Sequence, residues 1–137
     1  MTTVSLIKLA PVILAGTLLS GCVNDTASFM IDGRDHALIL LREQPYFWSD
    51  NTNLGLVVAR LPDCQRRYPM QPAPLPQTQV SLYEIAPMQY QVQQGSNWYA
   101  VETQGCTLQA LTAAPEAPGK LLGSFERKDG KLKFVAK

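Results

Sequence analysis

The amino-acid sequence predicts an all-β fold, a single small antiparallel barrel or sandwich of about seven to nine short strands stapled by one disulfide. Three observations support this prediction. Apolar residues alternate with polar ones or form short runs, and no long segment has them at the spacing of a helix face. Turn-forming pairs separate the runs. Four prolines fall within residues 69–76, a density that suits neither a helix nor a paired strand.

The clearest elements are two hairpins whose turns set a register. Asp129-Gly130 lies between the segments 121–128 and 131–136, and an Asp-Gly pair is a strong signal for a two-residue turn. Pairing across it places Phe125 opposite Phe134. A Gly95-Ser96 turn predicts a second hairpin with one apolar and one polar face. Its apolar face holds Tyr90, Val92, Tyr99 and Val101, and its other face holds Gln91, Gln93, Trp98 and Ala100.

The other strands follow from shorter apolar runs between turn signals. We expect them at residues 28–32 and 35–42 around Gly33-Arg34, and at 54–61, 80–85 and 106–111. The proline-rich segment 69–76 is expected to be an extended crossover. It should lie inside one domain, since neither half of the chain is large enough to hold its own core.

The first residues have the order of a secretory leader: a cation at Lys8, an uncharged stretch from Leu9 to Leu19, then small residues. The stretch is shorter than the roughly 18 to 20 residues of a transmembrane helix. Leu19-Ser20-Gly21-Cys22 closes it and resembles the lipobox of bacterial lipoproteins, in which the cysteine receives a diacylglyceryl thioether before cleavage.

The lipobox resemblance implies a division of the chain. Residues 1–21 are a signal peptide, 22–28 are the lipidated Cys22 and a polar tether, and 29–137 form one β-rich periplasmic domain. The acyl chains, palmitate among them, would hold the protein on a membrane. Val23, rather than aspartate, follows the cysteine, and the resemblance then implies the outer membrane, with the domain facing the periplasm.

Cys64 and Cys106 are an even pair once Cys22 is assigned to lipid, and the periplasm is oxidising. We therefore predict a disulfide between them. The sharper alternative, a catalytic or metal-binding thiol pair, has little support because the chain has one histidine and no C-x-x-C spacing.

Charge argues against nucleic acid as a partner. Removing Lys8 with the leader leaves 11 basic against 11 acidic residues and no basic stripe. No cofactor or metal is predicted. His36 is expected to be an exposed turn residue, and the carboxylate pair Glu84 and Glu102 is the remaining catalytic option.

Aromatic and arginine residues are the candidate contacts for a partner. Tyr46, Phe47 and Trp48 lie in a predicted loop, where they recognise a partner; in the alternative, Phe47 and Trp48 plug the end of the barrel. Trp98 lies on a face that is otherwise polar, so we expect it to be exposed. Arg66 and Arg67, with Arg60, flank Cys64 and form either a basic site or a solvated surface.

These observations favour a non-enzymatic outer-membrane lipoprotein that binds another envelope component, protein or glycan. The size, lipidation and disulfide also look like periplasmic lysozyme inhibitors, small lipidated β-barrels that insert a loop into an enzyme cleft. The alternative is therefore an enzyme, or an enzyme inhibitor, acting on peptidoglycan.

Overall fold

A computed structural model describes residues 23–137. The leader, the lipobox and Cys22 lie outside the described residues. All regular structure in 23–137 is β, and it comprises two antiparallel sheets. The strands are β1 (Asn24–Asp32), β2 (His36–Glu43), β3 (Asn51–Arg60), β4 (Cys64–Pro69), β5 (Ala73–Pro74), β6 (Gln79–Ala86), β7 (Gln89–Gln94), β8 (Asn97–Glu102), β9 (Thr107–Ala110), β10 (Lys120–Lys128) and β11 (Lys131–Ala136).

The two sheets stack as a sandwich and do not close into a barrel. The first sheet has the order β1-β2-β3-β4, with β5 also paired to β3, and the second has the order β11-β10-β6-β7-β8-β9. At one edge Phe29 of β1 packs on Phe134 of β11, with ring centroids 4.9 Å apart. At the other edge the Cys64–Cys106 disulfide joins the sheets. The predicted all-β class and the predicted disulfide are both confirmed.

The core lies between the sheets and follows the two-residue period of the strands. Leu38, Leu40, Leu56 and Val58 of the first sheet are fully buried, as are Val80, Leu82, Val92 and Phe125 of the second. Both predicted hairpin registers are confirmed. Val92 pairs with Tyr99 and Tyr90 with Val101, and Phe125 pairs with Phe134.

Eleven strands form within residues 23–137, where about seven to nine were expected, because two segments without an apolar alternation also pair. β4 has the sequence CQRRYP and offers no apolar alternation, yet its backbone pairs with β3 along six residues. β5 is a two-residue pairing of Ala73-Pro74 within the proline-rich crossover. Both strands exist through backbone pairing with β3, which their own sequences do not signal.

The expected tether, residues 22–28, is also wrong over most of its length. β1 begins at Asn24 and pairs with β2 from Asn24↔Glu43 onward. Ala27 is buried in the core, and Asp25 binds Arg42. The segment is polar in sequence because β1 is an edge strand with one face in solvent, so polarity here does not indicate a free linker.

A long connection crosses the outer face of the second sheet. β9 is the edge strand next to β8, whereas β10 lies beyond β6, so the chain from Leu111 to Gly119 must pass over the strands between them. The Leu111 amide donates to the Trp98 carbonyl (2.8 Å) at the start of this connection. The Gly119 amide donates to Gln91 Oε1 (3.3 Å) at its end. The outer face of β7 and β8 is therefore covered.

Candidate functional site

The most exposed apolar surface among residues 23–137 belongs to the loop between β2 and β3, residues 44–50, which we call the aromatic loop. Tyr46, Phe47 and Trp48 are 57%, 68% and 67% exposed. The Tyr46 and Trp48 rings stack at 4.9 Å with an interplanar angle of 11°. Phe47 meets Trp48 edge-on at 4.7 Å. The alternative that Phe47 and Trp48 plug the end of the domain is therefore wrong, because both rings are exposed and form one apolar patch with Tyr46.

The Gln44 side chain orders the aromatic loop from within. Its Nε2 donates to the carbonyls of Phe47 (3.3 Å) and Ser49 (2.8 Å). The Ser49 amide donates to the Tyr46 carbonyl at 3.0 Å. These bonds satisfy backbone carbonyls that a loop otherwise leaves to water. The three rings are thus presented on a loop with a defined backbone path.

Gln44 also ties the aromatic loop to Val23, the first residue that the structure describes. The Gln44 backbone N–H donates to the Val23 carbonyl at 2.7 Å, and the Val23 backbone N–H donates to the Gln44 side-chain Oε1 at 3.1 Å. This reciprocal pair extends the β1–β2 ladder by one step. The aromatic loop therefore lies directly beside the point where the chain enters the domain.

The tip of the β10–β11 hairpin lies at the same end of the sandwich, which we call the Val23 end. The Leu132 amide donates to Asp25 Oδ2 at 2.9 Å, so the start of β11 lies beside the start of β1. Residues 126–133, the hairpin tip, carry four cations and two carboxylates. The cations are Arg127, Lys128, Lys131 and Lys133, and all four are exposed.

An ion pair between buried Arg42 and half-buried Asp25 fixes the Val23 end internally. Arg42 is 1% exposed, and its Nε and Nη2 donate to the two carboxylate oxygens of Asp25 at 2.8 and 2.6 Å. A bidentate pair of this kind has strong directional preference. This ion pair joins β1 to β2, and the hydrogen bond from the Leu132 amide to Asp25 links β11 to the same two strands. The sequence pointed to none of these residues, because Asp25 fell in the expected tether.

Within residues 23–137, the pKa values of two side chains are shifted. Burial alone raises the pKa of Asp25, but the Arg42 hydrogen bonds, the Leu132 amide and the charges of Arg42 and Arg127 outweigh it and hold the pKa below the usual aspartate value. Burial, with the nearby charge of Glu84, raises the pKa of Tyr90. Asp25 therefore remains ionised at neutral pH, and Tyr90 remains neutral.

Trp98 was expected to be exposed, and that expectation is wrong: it is 7% exposed. It does lie on the outer face opposite Gln93, as the turn register predicts. The connection from Leu111 to Gly119 covers that face, and Tyr83 of β6 packs against the indole at 5.3 Å. A partner therefore reaches little of Trp98 in the folded protein.

A polar groove of about 790 Å³ opens beside the hairpin tip. Amide and hydroxyl side chains line much of it, among them Gln79, Ser81 and Gln93. The side-chain amide of Gln93 is already hydrogen-bonded within the protein. Tyr83 Oη donates to its Oε1 at 3.0 Å, and its Nε2 donates to the Gly95 carbonyl at 3.2 Å. The remaining groups can hydrogen-bond a polar ligand.

The three arginines near Cys64 do not converge on one site. Arg60 donates to the carbonyls of Thr103 and Gln104 at 3.1 and 2.6 Å, and so holds the 103–106 turn in place. Arg67 lies across Gly55 and forms an ion pair with Glu43 at 3.3 Å. Arg66 is its neighbour on β4, so strand alternation turns it to the other side.

The catalytic candidates are also apart. The expectation that His36 is an exposed turn residue is wrong: it is the half-buried first residue of β2. Its Nε2 lies 2.8 Å from Thr103 Oγ1, a contact that joins the two sheets. Glu84 pairs with Tyr90, on the core side of β7, whereas Glu102 pairs with Gln89, its neighbour on the other side. The two carboxylates therefore point to opposite faces of the sheet. In the part of the chain that the structure describes, no three His, Cys, Asp or Glu residues are grouped to hold a metal ion.

Within residues 23–137 no helix has the length and apolar character needed to span a bilayer. Comparison with known protein families, curated proteins and solved structures finds no match to this chain.

Proposed function

We propose that this protein is a lipoprotein of the outer membrane, anchored through Cys22, that acts by binding an envelope component through the aromatic loop and not by catalysis. The observation that carries the proposal is the ordered, stacked and solvent-exposed set of Tyr46, Phe47 and Trp48. Aromatic rings supply large contact area at low entropic cost, and are common energetic centres of interfaces.

Two further features support the proposal. The Leu19-Ser20-Gly21-Cys22 motif provides the acylation site. The Cys64–Cys106 disulfide is typical of proteins that work in an oxidising compartment. Side-chain charge near balance in the mature chain disfavours nucleic acid as the component bound.

Crosslinking in the intact envelope tests the binding surface. A photoreactive benzoylphenylalanine at Phe47 should give a covalent adduct with an envelope component, identified by mass spectrometry. The same probe at Ile85 is the matched control, because Ile85 is apolar, 51% exposed and at the opposite end of the sandwich. Equal adducts from both positions, or none from Phe47, would contradict the proposed surface.

Fractionation tests the anchor separately. Cys22→Ala removes the sulfur that forms the thioether, so the variant should be lost from the outer-membrane fraction after a carbonate wash, which strips proteins bound only at the surface. A variant that still fractionates with the outer membrane would refute lipidation at Cys22.

A further inference from the structure

We infer that the partner of the aromatic loop is the surface of the phospholipid bilayer itself, on which the Val23 end of the domain docks. This inference rests on the proposed anchor at Cys22 and names the component that the loop contacts. It follows from where the chain enters the domain, from the residue types at that end and from their charge.

The chain between an acylated Cys22 and the start of the domain is too short to separate the lipid from the aromatic loop. Consecutive Cα atoms are about 4 Å apart, so Cys22 is within that distance of Val23. Val23 is in turn held to Gln44 by hydrogen bonds of 2.7 and 3.1 Å. Acyl chains on Cys22 would therefore enter the bilayer next to the base of the aromatic loop, because only Val23 lies between Cys22 and the hydrogen bonds to Gln44. A domain anchored in this way has no tether long enough to lift Trp48 far from the headgroups.

The residue types suit the membrane interface. Tyrosine and tryptophan concentrate where hydrocarbon meets water, because each has an apolar ring and a polar group. Here both types project from one loop, with Phe47 between them as a fully apolar side chain that is 68% exposed. A protein partner for the same rings would have to fit between the domain and the membrane.

Charge at the Val23 end complements anionic headgroups. The exposed cations Arg127, Lys128 and Lys131 flank the hairpin turn, and each cation near an anionic lipid surface contributes about 1 kcal/mol, or roughly fivefold in partitioning. Asp50 and Asp129 share this end, so the excess of positive charge is confined to the hairpin tip. We expect the rings to insert and the tip to rest on the headgroups.

The test uses the mature, acylated protein in vesicles of phosphatidylethanolamine with phosphatidylglycerol as the minority lipid. The chain has two tryptophans, exposed Trp48 and buried Trp98. Lipids brominated near the headgroup should quench Trp48 and leave Trp98 emitting. Quenching should therefore be large in the wild type and in Trp98→Phe, and lost in Trp48→Phe. The Trp48→Phe variant keeps the measurement decisive even if Trp98→Phe fails to fold.

The outcomes separate the inference from the function on which it rests. Protein that sediments with vesicles while Trp48 stays unquenched overturns docking and leaves the anchor intact. Protein that does not sediment at all contradicts the anchor. A Phe47 crosslink to a protein or glycan, with Trp48 unquenched, assigns the loop to that partner and overturns the bilayer inference.

Partitioning of residues 22–137 with Cys22→Ala, produced without the leader and therefore unacylated, measures the docking surface alone. The triple variant Tyr46→Ser, Phe47→Ser and Trp48→Ser should weaken binding to the same vesicles at least tenfold, since the loss of one buried ring is already sufficient for that change. Ile85→Ser with Met88→Ser is the matched apolar control and should change nothing. Lys128→Gln with Lys131→Gln should weaken binding about fivefold per charge, and Lys120→Gln should not. Equal losses in the loop variant and its control would overturn the inference.

Discussion

Truncating each tryptophan to alanine should separate a core residue from a surface one. Trp98 is 7% exposed, and burying about 200 Å² of aromatic surface at roughly 25 cal/mol per Å² corresponds to about 5 kcal/mol. That figure is an upper bound, because alanine retains part of the burial and the unfolded chain is not fully extended. We therefore expect Trp98→Ala to lower the free energy of unfolding by about 3 to 5 kcal/mol.

The matched variant is Trp48→Ala, since Trp48 is 67% exposed and should cost less than about 0.5 kcal/mol. Urea unfolding followed by far-ultraviolet circular dichroism measures both without relying on tryptophan emission. A loss below about 1 kcal/mol for Trp98→Ala, or equal losses for the two variants, would refute the assignment of Trp98 to a covered face.

Three further predictions concern the covalent and polar links of the sandwich. Replacing Cys64 and Cys106 by serine should lower the free energy of unfolding by about 4 kcal/mol, because the bridge spans a sequence separation of 42. Thermal melts measure the loss. Alkylation of the acylated, oxidised wild type should add no mass, and two alkylated thiols would contradict the bridge. Gly119→Ala should cost about 2 kcal/mol or more in denaturant melts, since its Cβ would lie 2.2 Å from the Glu84 carbonyl, whereas Gly105→Ala meets nothing closer than 3.7 Å and should be near neutral. The folded-state pKa of Asp25 is lowered, so ionised Asp25 stabilises the fold fully above the pKa of the unfolded aspartate, and this stabilisation disappears as pH falls through the folded value. Below about pH 4 the wild type should therefore lose stability faster than Asp25→Asn. Parallel pH profiles of the free energy of unfolding would contradict this.

Local chemistry explains which elements were predictable. Asp129-Gly130 and Gly95-Ser96 are turns whose geometry depends on two residues, so the flanking registers follow from the sequence alone. The Phe125–Phe134 and Val92–Tyr99 pairs are as predicted. The disulfide was also predictable from the sequence, because the predicted acylation of Cys22 left Cys64 and Cys106 as a single pair.

The features of the site depended on contacts between distant segments. The sequence placed Tyr46, Phe47 and Trp48 in a loop, but their exposure and their place beside Val23 depend on pairing between β1 and β2. Similarly, Asp25 belongs to a strand because Arg42 and Leu132 bind it, and no local signal marks that role.

Trp98 shows most clearly which part of the structure the sequence alone does not predict. Its sequence determined that it lies opposite Gln93 on the face away from the core, because side chains alternate along a strand. Whether that face meets solvent depended on strand order. Since β9 is at one edge and β10 lies beyond β6, the connection between them must cross the sheet, and Trp98 on that face is only 7% exposed. Side-chain alternation is a property of neighbouring residues, whereas coverage of a face is a property of topology, which only the tertiary structure decides.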